Sequence, residues 1–237
     1  MPPQTMPDLL IPAPPQPTVA VFGTQARFPV RRIFCVGRNY AAHAREMGSD
    51  PTREAPFFFC KPADAVVDTG TAIPYPPETQ NLHHEIELVV AIGKAGADIA
   101  VAQALDHVFG YAAGIDLTRR DLQNAAKDHG RPWDWGKGFD HSAPIAPLRQ
   151  VAEIGHPARA RIWLAVNGKL RQDSNTADMI WPVADIISIA SRSMELRPGD
   201  LIMTGTPENV GPLVPGDVVT GGIEGLPDIE IVVQAQK

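Results

Sequence analysis

Apolar residues in this chain come in short runs broken by turn residues, more often than in the three-to-four spacing of an amphipathic helix. Residues 19–22, 32–36, 56–62, 85–92, 108–115, 158–166, 170–172, 201–203, 217–223 and 229–233 read as strands. Asn167-Gly168 between two of these runs predicts a two-residue hairpin. Helical patterns are fewer. Asn39 stands where it can cap a short helix that Gly48 ends, 99–107 reads as a helix, and Thr118 with Asp121 makes a capping-box-like start to another. Pro182 fits the first turn of a fourth, whose apolar stripe Val183, Ile186, Ile187 and Ala190 is core packing. Segments 65–68 and 73–77 are turn-rich, and 130–140 is irregular. The pattern predicts a mainly β fold with short helices (α+β). Residues 1–17 carry seven prolines and read as an extended arm. The division expected is an arm with a first strand over 1–26, then a single domain over 27–237.

One strand breaks the rule that buried strands are apolar. Glu85 and Glu87 lie two residues apart, ahead of the run Leu88-Val89-Val90. Side chains alternate across a strand, so the two acids share a side. Two carboxylates held together repel and are costly to bury. A hard divalent cation resolves the conflict, because Mg²⁺ and Mn²⁺ prefer oxygen ligands. The other reading is an acidic strand edge in solvent, which the apolar continuation of the run disfavours. Run 108–115 ends at Asp116, the natural third ligand of an all-oxygen site. Zinc suits such a site less well, since no histidine or cysteine is required. His84 alternates to the opposite side from Glu85 and is left out.

Composition narrows the function. Of 237 residues, 44% are hydrophobic and 20% charged, with a net charge of -6 and both signs interspersed. That argues against nucleic acid or an anionic membrane surface as partner, since both call for a basic face. No run approaches the roughly 20 apolar residues of a membrane span, and the N-terminus lacks a signal-peptide pattern. Cys35 and Cys60 show no metal or redox spacing and read as buried free thiols in a reducing cytoplasm.

Several other residues carry chemistry in one of two readings. His43 and Glu46 share one face of the short helix, either as a surface ion pair or as an imidazole oriented by a carboxylate. Bounded by Gly37 and Gly48, that helix also has the makings of a lid. Lys61 ends an apolar strand, as an exposed terminus or as a cation for an anionic substrate. Arg119, Arg120 and Gln123 follow Asp116 on a helix start. Lys137 lies between two glycines, which permits close approach to a ligand, but Gly136-Lys137-Gly138 is not a phosphate-binding loop. Thr204-Gly205-Thr206-Pro207 is a strand end with hydroxyls and a backbone amide suited to a carboxylate.

Taken in order, Gly37-Arg38-Asn39-Tyr40 with His43 and Glu46, Lys61-Pro62, Glu85-Ile86-Glu87, Asp116 with Arg120-Asp121 and Gln123, Gly136 to Asp140, and Thr204 to Pro207 resemble the fumarylacetoacetate hydrolase family. The likeness runs from about Arg27 to the C-terminus. It implies a mixed β-roll core, a Mg²⁺ or Mn²⁺ ion on Glu85, Glu87 and Asp116, and a homodimer. It further implies metal-dependent hydrolysis of a C–C bond in a 2,4-diketo acid, with decarboxylase, isomerase and a catalytically silent metal-stabilised scaffold as alternatives. On this reading His43, positioned by Glu46, activates water. Lys137 and Gln123 contact the substrate or the developing oxyanion, and Arg38, Arg120, Lys61 and Thr206 meet its anionic groups. Glu208-Asn209 departs from the Glu-Gly pair common in the family.

Overall fold

The computed structural model describes residues 9–46 and 55–236. Its centre is an eight-stranded sheet in the order Phe57–Lys61, Arg32–Gly37, Asp200–Met203, Ile86–Ile92, Val108–Ile115, Ala143–Ile145 and Val66–Asp68, with Arg149–Gln150 also paired to Val108–Ile115. A five-stranded sheet runs Lys169–Asn175, Arg161–Val166, Val218–Ile223, Ile229–Gln234 and Thr71–Pro74. Three strands, Thr118–Arg119, Leu82–His84 and Gly211–Leu213, form a small third sheet at the end of the central one. Pairing is mixed, with Asp200–Met203 parallel to Arg32–Gly37 and antiparallel to Ile86–Ile92.

Alternation sorts the central strands onto two cores. Leu88, Val90 and Ile92 join Phe34, Val36 and residues of the five-stranded sheet, including Ile162, Leu164 and Ile231, in the larger cluster. Val89 and Ala91 join Ile33, Cys35, Leu201 and Met203 in the smaller one. Both faces of the sheet are therefore covered, which is why these strands read as continuous apolar runs rather than alternating ones.

Most strands fall where the pattern puts them. Val108–Ile115 has the expected bounds. Asn167 (φ 52°) and Gly168 (φ 73°) are both left-handed, as the expected tight hairpin turn requires. The helix after Pro182 spans Val183–Ser193 and buries Ile186, Ile187 and Ala190. Other local expectations are corrected. Residues 99–107 form a 3-10 helix, Val101–His107, with Ala104 and His107 buried three apart, the spacing that stacks on one side of a three-residue turn. Asn39 does not cap the helix Ala41–Glu46. Its side chain accepts from Trp181 N (2.7 Å) and donates to Trp181 O (3.0 Å) and Thr204 O (2.8 Å). Thr118 and Asp121 form no capping box, since Thr118 Oγ1 bonds Asp116 O and Lys137, while Asp121 accepts from Thr79, Gln80 and Leu122. Gly48, expected to end the helix, lies outside the described residues. Cys35 is buried as expected, but Cys60 is exposed, and neither is in a disulfide. Thr18–Ala20 pairs antiparallel with Arg27–Pro29. No helix among the described residues is long and apolar enough to cross a membrane.

Candidate active site

The three acids meet because of strand register. Ile86 pairs with Ile115 and Glu87 with Gly114 in the antiparallel ladder, and Asp116 N donates to Glu85 O at 2.8 Å. Asp116 thus lies across from Glu85. Directly opposed residues hold their Cβ atoms about 5 Å apart, and Glu87, two residues on, shares their face. All three are buried, and one carboxylate oxygen from each lies within 4.8 Å of the others.

Three cations surround them. Lys137 Nζ donates to Glu85 Oε2, Asp116 Oδ2 and Thr118 Oγ1, each at 2.7 Å. Arg120 pairs with Glu85 Oε1 and donates to Gln123 Oε1. Lys61 Nζ lies 2.8 Å from Asp116 Oδ1 and donates to the carbonyls of Leu117 and Lys137. Burial alone raises the Glu85 carboxyl, but Lys137 and Arg120 bring it well below the usual carboxylate range. Burial lowers Lys137, while Asp116 and Glu85 more than offset that and hold it charged. Glu87 is different. Burial pushes it well up and Asp116 and Glu85 push it further, against a partial offset from the Lys137 charge and the Gly205 N–H, which donates to Glu87 Oε2 at 2.7 Å.

This arrangement fits a hard divalent cation. The donors are carboxylate oxygens alone. Asp116 Oδ1 is buried and receives no aligned hydrogen bond, although the Lys61 ammonium lies beside it, so a lone pair is left over. Glu87 is a buried carboxylate facing two others. A dipositive ion with oxygen preference answers both features, as Mg²⁺ and Mn²⁺ do.

A pocket opens over the acids. Arg38, His43, Arg120, Gln123, Lys137 and Thr206 line it with Glu85 and Glu87, so eight of the residues that carry chemistry in the sequence converge. Lys61 does not line it. Its ammonium is buried against Asp116 and the carbonyls of Leu117 and Lys137. His43 is buried on the helix Ala41–Glu46. The Glu46 side chain, and with it the expected His43–Glu46 pair, lies outside the described residues. Arg119 turns elsewhere, its guanidinium 4.4 Å from the Phe139 ring. His84 donates or accepts at Gln172, not at the acids.

The site also contains residues the sequence did not single out. Asn124 and Lys127 line the pocket. With Arg120 and Gln123 they fall at helical spacing on Arg120–Asp128, so a polar stripe of that period was the available signal. Trp133 forms a wall, edge-on to Phe57 at 5.1 Å between ring centres. Gln172 is fully buried and reaches both the acidic strand and the turn at 204–207. Nothing in its local pattern marks it.

Comparison with known proteins agrees with this architecture. Residues 32–234 match the family described as fumarylacetoacetate (FAA) hydrolase C-terminal. The crystal structure of fumarylpyruvate hydrolase from Pseudomonas aeruginosa in complex with Mn²⁺ and pyruvate superposes with a TM-score of 0.95 at 52% identity, covering 97% of this chain and 100% of that one. A mitochondrial oxaloacetate tautomerase of Oryza sativa subsp. japonica is 43% identical over 209 residues, 87% of this chain and 92% of its own length. The 2-hydroxyhepta-2,4-diene-1,7-dioate isomerase from Mycobacterium marinum has a TM-score of 0.77 at 35% identity, covering 89% of this chain and 77% of that one.

Proposed function

The chain belongs to the fumarylacetoacetate hydrolase family, whose members are enzymes, and from that premise we propose that it is a metal-dependent hydrolase of 2,4-diketo acids, with fumarylpyruvate as substrate and fumarate and pyruvate as products. The observation that carries the reading is the placement of His43 in one pocket with Glu85 and Glu87, a base for water beside ligands for Mg²⁺ or Mn²⁺. The 52% identity to a fumarylpyruvate hydrolase over nearly the whole chain favours that substrate.

When bound on Glu85, Glu87 and Asp116, the cation supplies Lewis acidity toward the oxygens of a 2-oxo acid, which makes the carbon between the two ketones a better leaving group. His43 takes a proton from water at a ring nitrogen. The water oxygen bonds to the C4 carbonyl carbon, the C3–C4 bond breaks, and the electron pair passes to C3, which is then protonated. One water is consumed. Lys137 keeps Glu85 ionised and holds Glu85 and Asp116 in place through its hydrogen bonds, and with Gln123 it faces the reacting groups. Arg38, Arg120 and Thr206 meet the substrate's carboxylates. The Trp133 and Phe59 side of the pocket borders the unsaturated chain. The family likeness adds a homodimer to the proposal, to be measured by light scattering.

The test is release of pyruvate from fumarylpyruvate with Mn²⁺ present, and again after chelation. Turnover that is metal-dependent is the expected result, and turnover unaffected by the chelator sinks the reading. A second reading, tautomerisation of oxaloacetate, is favoured by the curated relative at 43% identity. It needs a proton moved between carbon and oxygen but no water attack at C4, so parallel assays with oxaloacetate and fumarylpyruvate separate the two.

A further inference from the structure

We propose that Gln172 is a specificity-setting residue, which fixes the Thr206 hydroxyl as a hydrogen-bond donor toward the carboxylate of a bound 2-oxo acid. This rests on the reading of the pocket given above. Gln172 lies on the five-stranded sheet, in Lys169–Asn175, where it is the single fully buried residue. Its Oε1 accepts from Ile86 N (3.1 Å) and meets His84 Nδ1 (3.1 Å). Its Nε2 donates to Thr206 Oγ1 (2.9 Å), Pro207 O (2.9 Å) and Glu208 O (3.3 Å).

The polarity of this amide is fixed from outside. A backbone N–H can only donate, and backbone carbonyls can only accept. Ile86 N therefore selects the oxygen, and the carbonyls of Pro207 and Glu208 select the nitrogen. Rotating the amide by a half-turn breaks all three. The same logic places a proton on His84 Nδ1, because the oxygen it faces cannot donate.

Thr206 is left with one option. Its oxygen accepts from Gln172, and the described residues show no hydrogen bond donated by its own hydrogen. Thr206 lines the pocket with Arg38, Arg120 and the acids. A hydroxyl with a locked acceptor side and a free hydrogen selects an oxygen acceptor in the pocket, and an anionic one most strongly, since hydrogen bonds to charged groups are the stronger ones. Without Gln172 the hydroxyl loses the donor that fixes its orientation and is free to rotate.

The test uses the full chain loaded with Mn²⁺ and pyruvate as the probe, with affinity read by calorimetry, alongside KM and kcat for fumarylpyruvate. Thr206→Val and Gln172→Met are each expected to weaken pyruvate by roughly tenfold, the scale of one hydrogen bond to a charge. The same factor is expected in KM, with Mn²⁺ affinity near wild type. The double variant is expected to be no weaker than Thr206→Val, because both changes remove one interaction. Thr206→Ser, which keeps the hydroxyl, is expected to restore binding. Independent, multiplying losses in the double variant overturn the proposal, as does loss of Mn²⁺ affinity in Gln172→Met, which makes the residue a structural clamp. Should Gln172→Met fail to fold, wild-type pyruvate affinity in Thr206→Val overturns it alone. A wild type that binds Mn²⁺ but not pyruvate also overturns it. If the protein does not cleave fumarylpyruvate yet shows this binding pattern, the proposed reaction falls and the role of Gln172 stands.

Discussion

The strands Ile86–Ile92 and Lys169–Asn175 each have seven residues, and their burial is nearly opposite. Every residue of the first is buried, whereas in the second only Gln172 is. In the first strand, position decides function by exception. Its apolar side chains divide between two cores, and the one polar residue, Glu87, belongs to the site with Glu85 just ahead of it. In the second strand the exception is a single inward amide that reaches across to the first. The lesson is that a buried polar group has to be satisfied, and that the residue satisfying it comes from whichever strand faces it, however ordinary that strand looks.

The comparison is broken most severely at the acids. Asp116→Ala removes the carboxylate that faces Lys61 and Lys137. It leaves two buried cations short of a partner, a loss on the order of 3–5 kcal/mol. Calorimetry with Mn²⁺ is expected to find no binding, and urea unfolding a markedly lower midpoint; unchanged metal affinity removes Asp116 from the ligand set. His43→Ala is expected to retain Mn²⁺ and lose roughly 10²–10⁴-fold in kcat, the usual cost of removing a general base. Full activity in that variant excludes His43. On the other face of the same strand, Leu88→Ala is expected to cost about 2–5 kcal/mol of stability by leaving a cavity, with KM retained in the folded fraction. Beside Gln172, the exposed Arg171→Ala is expected to change stability by no more than about 0.5 kcal/mol, which sharpens the contrast within one strand.

The smallest effect is a pH dependence away from the metal ligands. Burial alone raises the Asp121 carboxyl, but hydrogen bonds from Thr79, Gln80 and Leu122 bring it below the ordinary value. A depressed folded pKa contributes stability that is complete above the unfolded value and is lost as pH falls through the folded one. Asp121→Asn is therefore expected to lower the melting temperature slightly at neutral pH, where the ionised carboxylate contributes, and to flatten the acid limb of the profile below about pH 4. An acid limb identical to wild type removes Asp121 from that role.

How much of this was legible in the sequence depended on distance along the chain. Val108–Ile115, the Asn167-Gly168 hairpin and the Val183–Ser193 helix are local patterns, and they were readable. Glu85 and Glu87 were readable as a pair because alternation is local too, and Asp116 because it ends an apolar run. What was not readable depends on pairing between distant segments. The register that sets Asp116 against Glu85 lies in the antiparallel ladder, not in either strand. Lys61 looked like a strand terminus near solvent until the fold set Asp116 against it. Asn39 looked like a helix cap because its neighbours are helical, but Trp181 and Thr204, far along the chain, hold its amide. The short pairs Leu82–His84 and Gly211–Leu213 had no pattern of their own and exist because each edge finds the other.

The close grouping of Lys61, Lys137 and Arg120 around Glu85, Glu87 and Asp116 has an electrical consequence. With every group in its charged form, this inner ring carries three positive and three negative charges. Arrival of a dipositive ion leaves the ring two charges in surplus, the amount a dicarboxylate brings. On the proposed function, the ion thus brings the charge that offsets the acid the pocket receives.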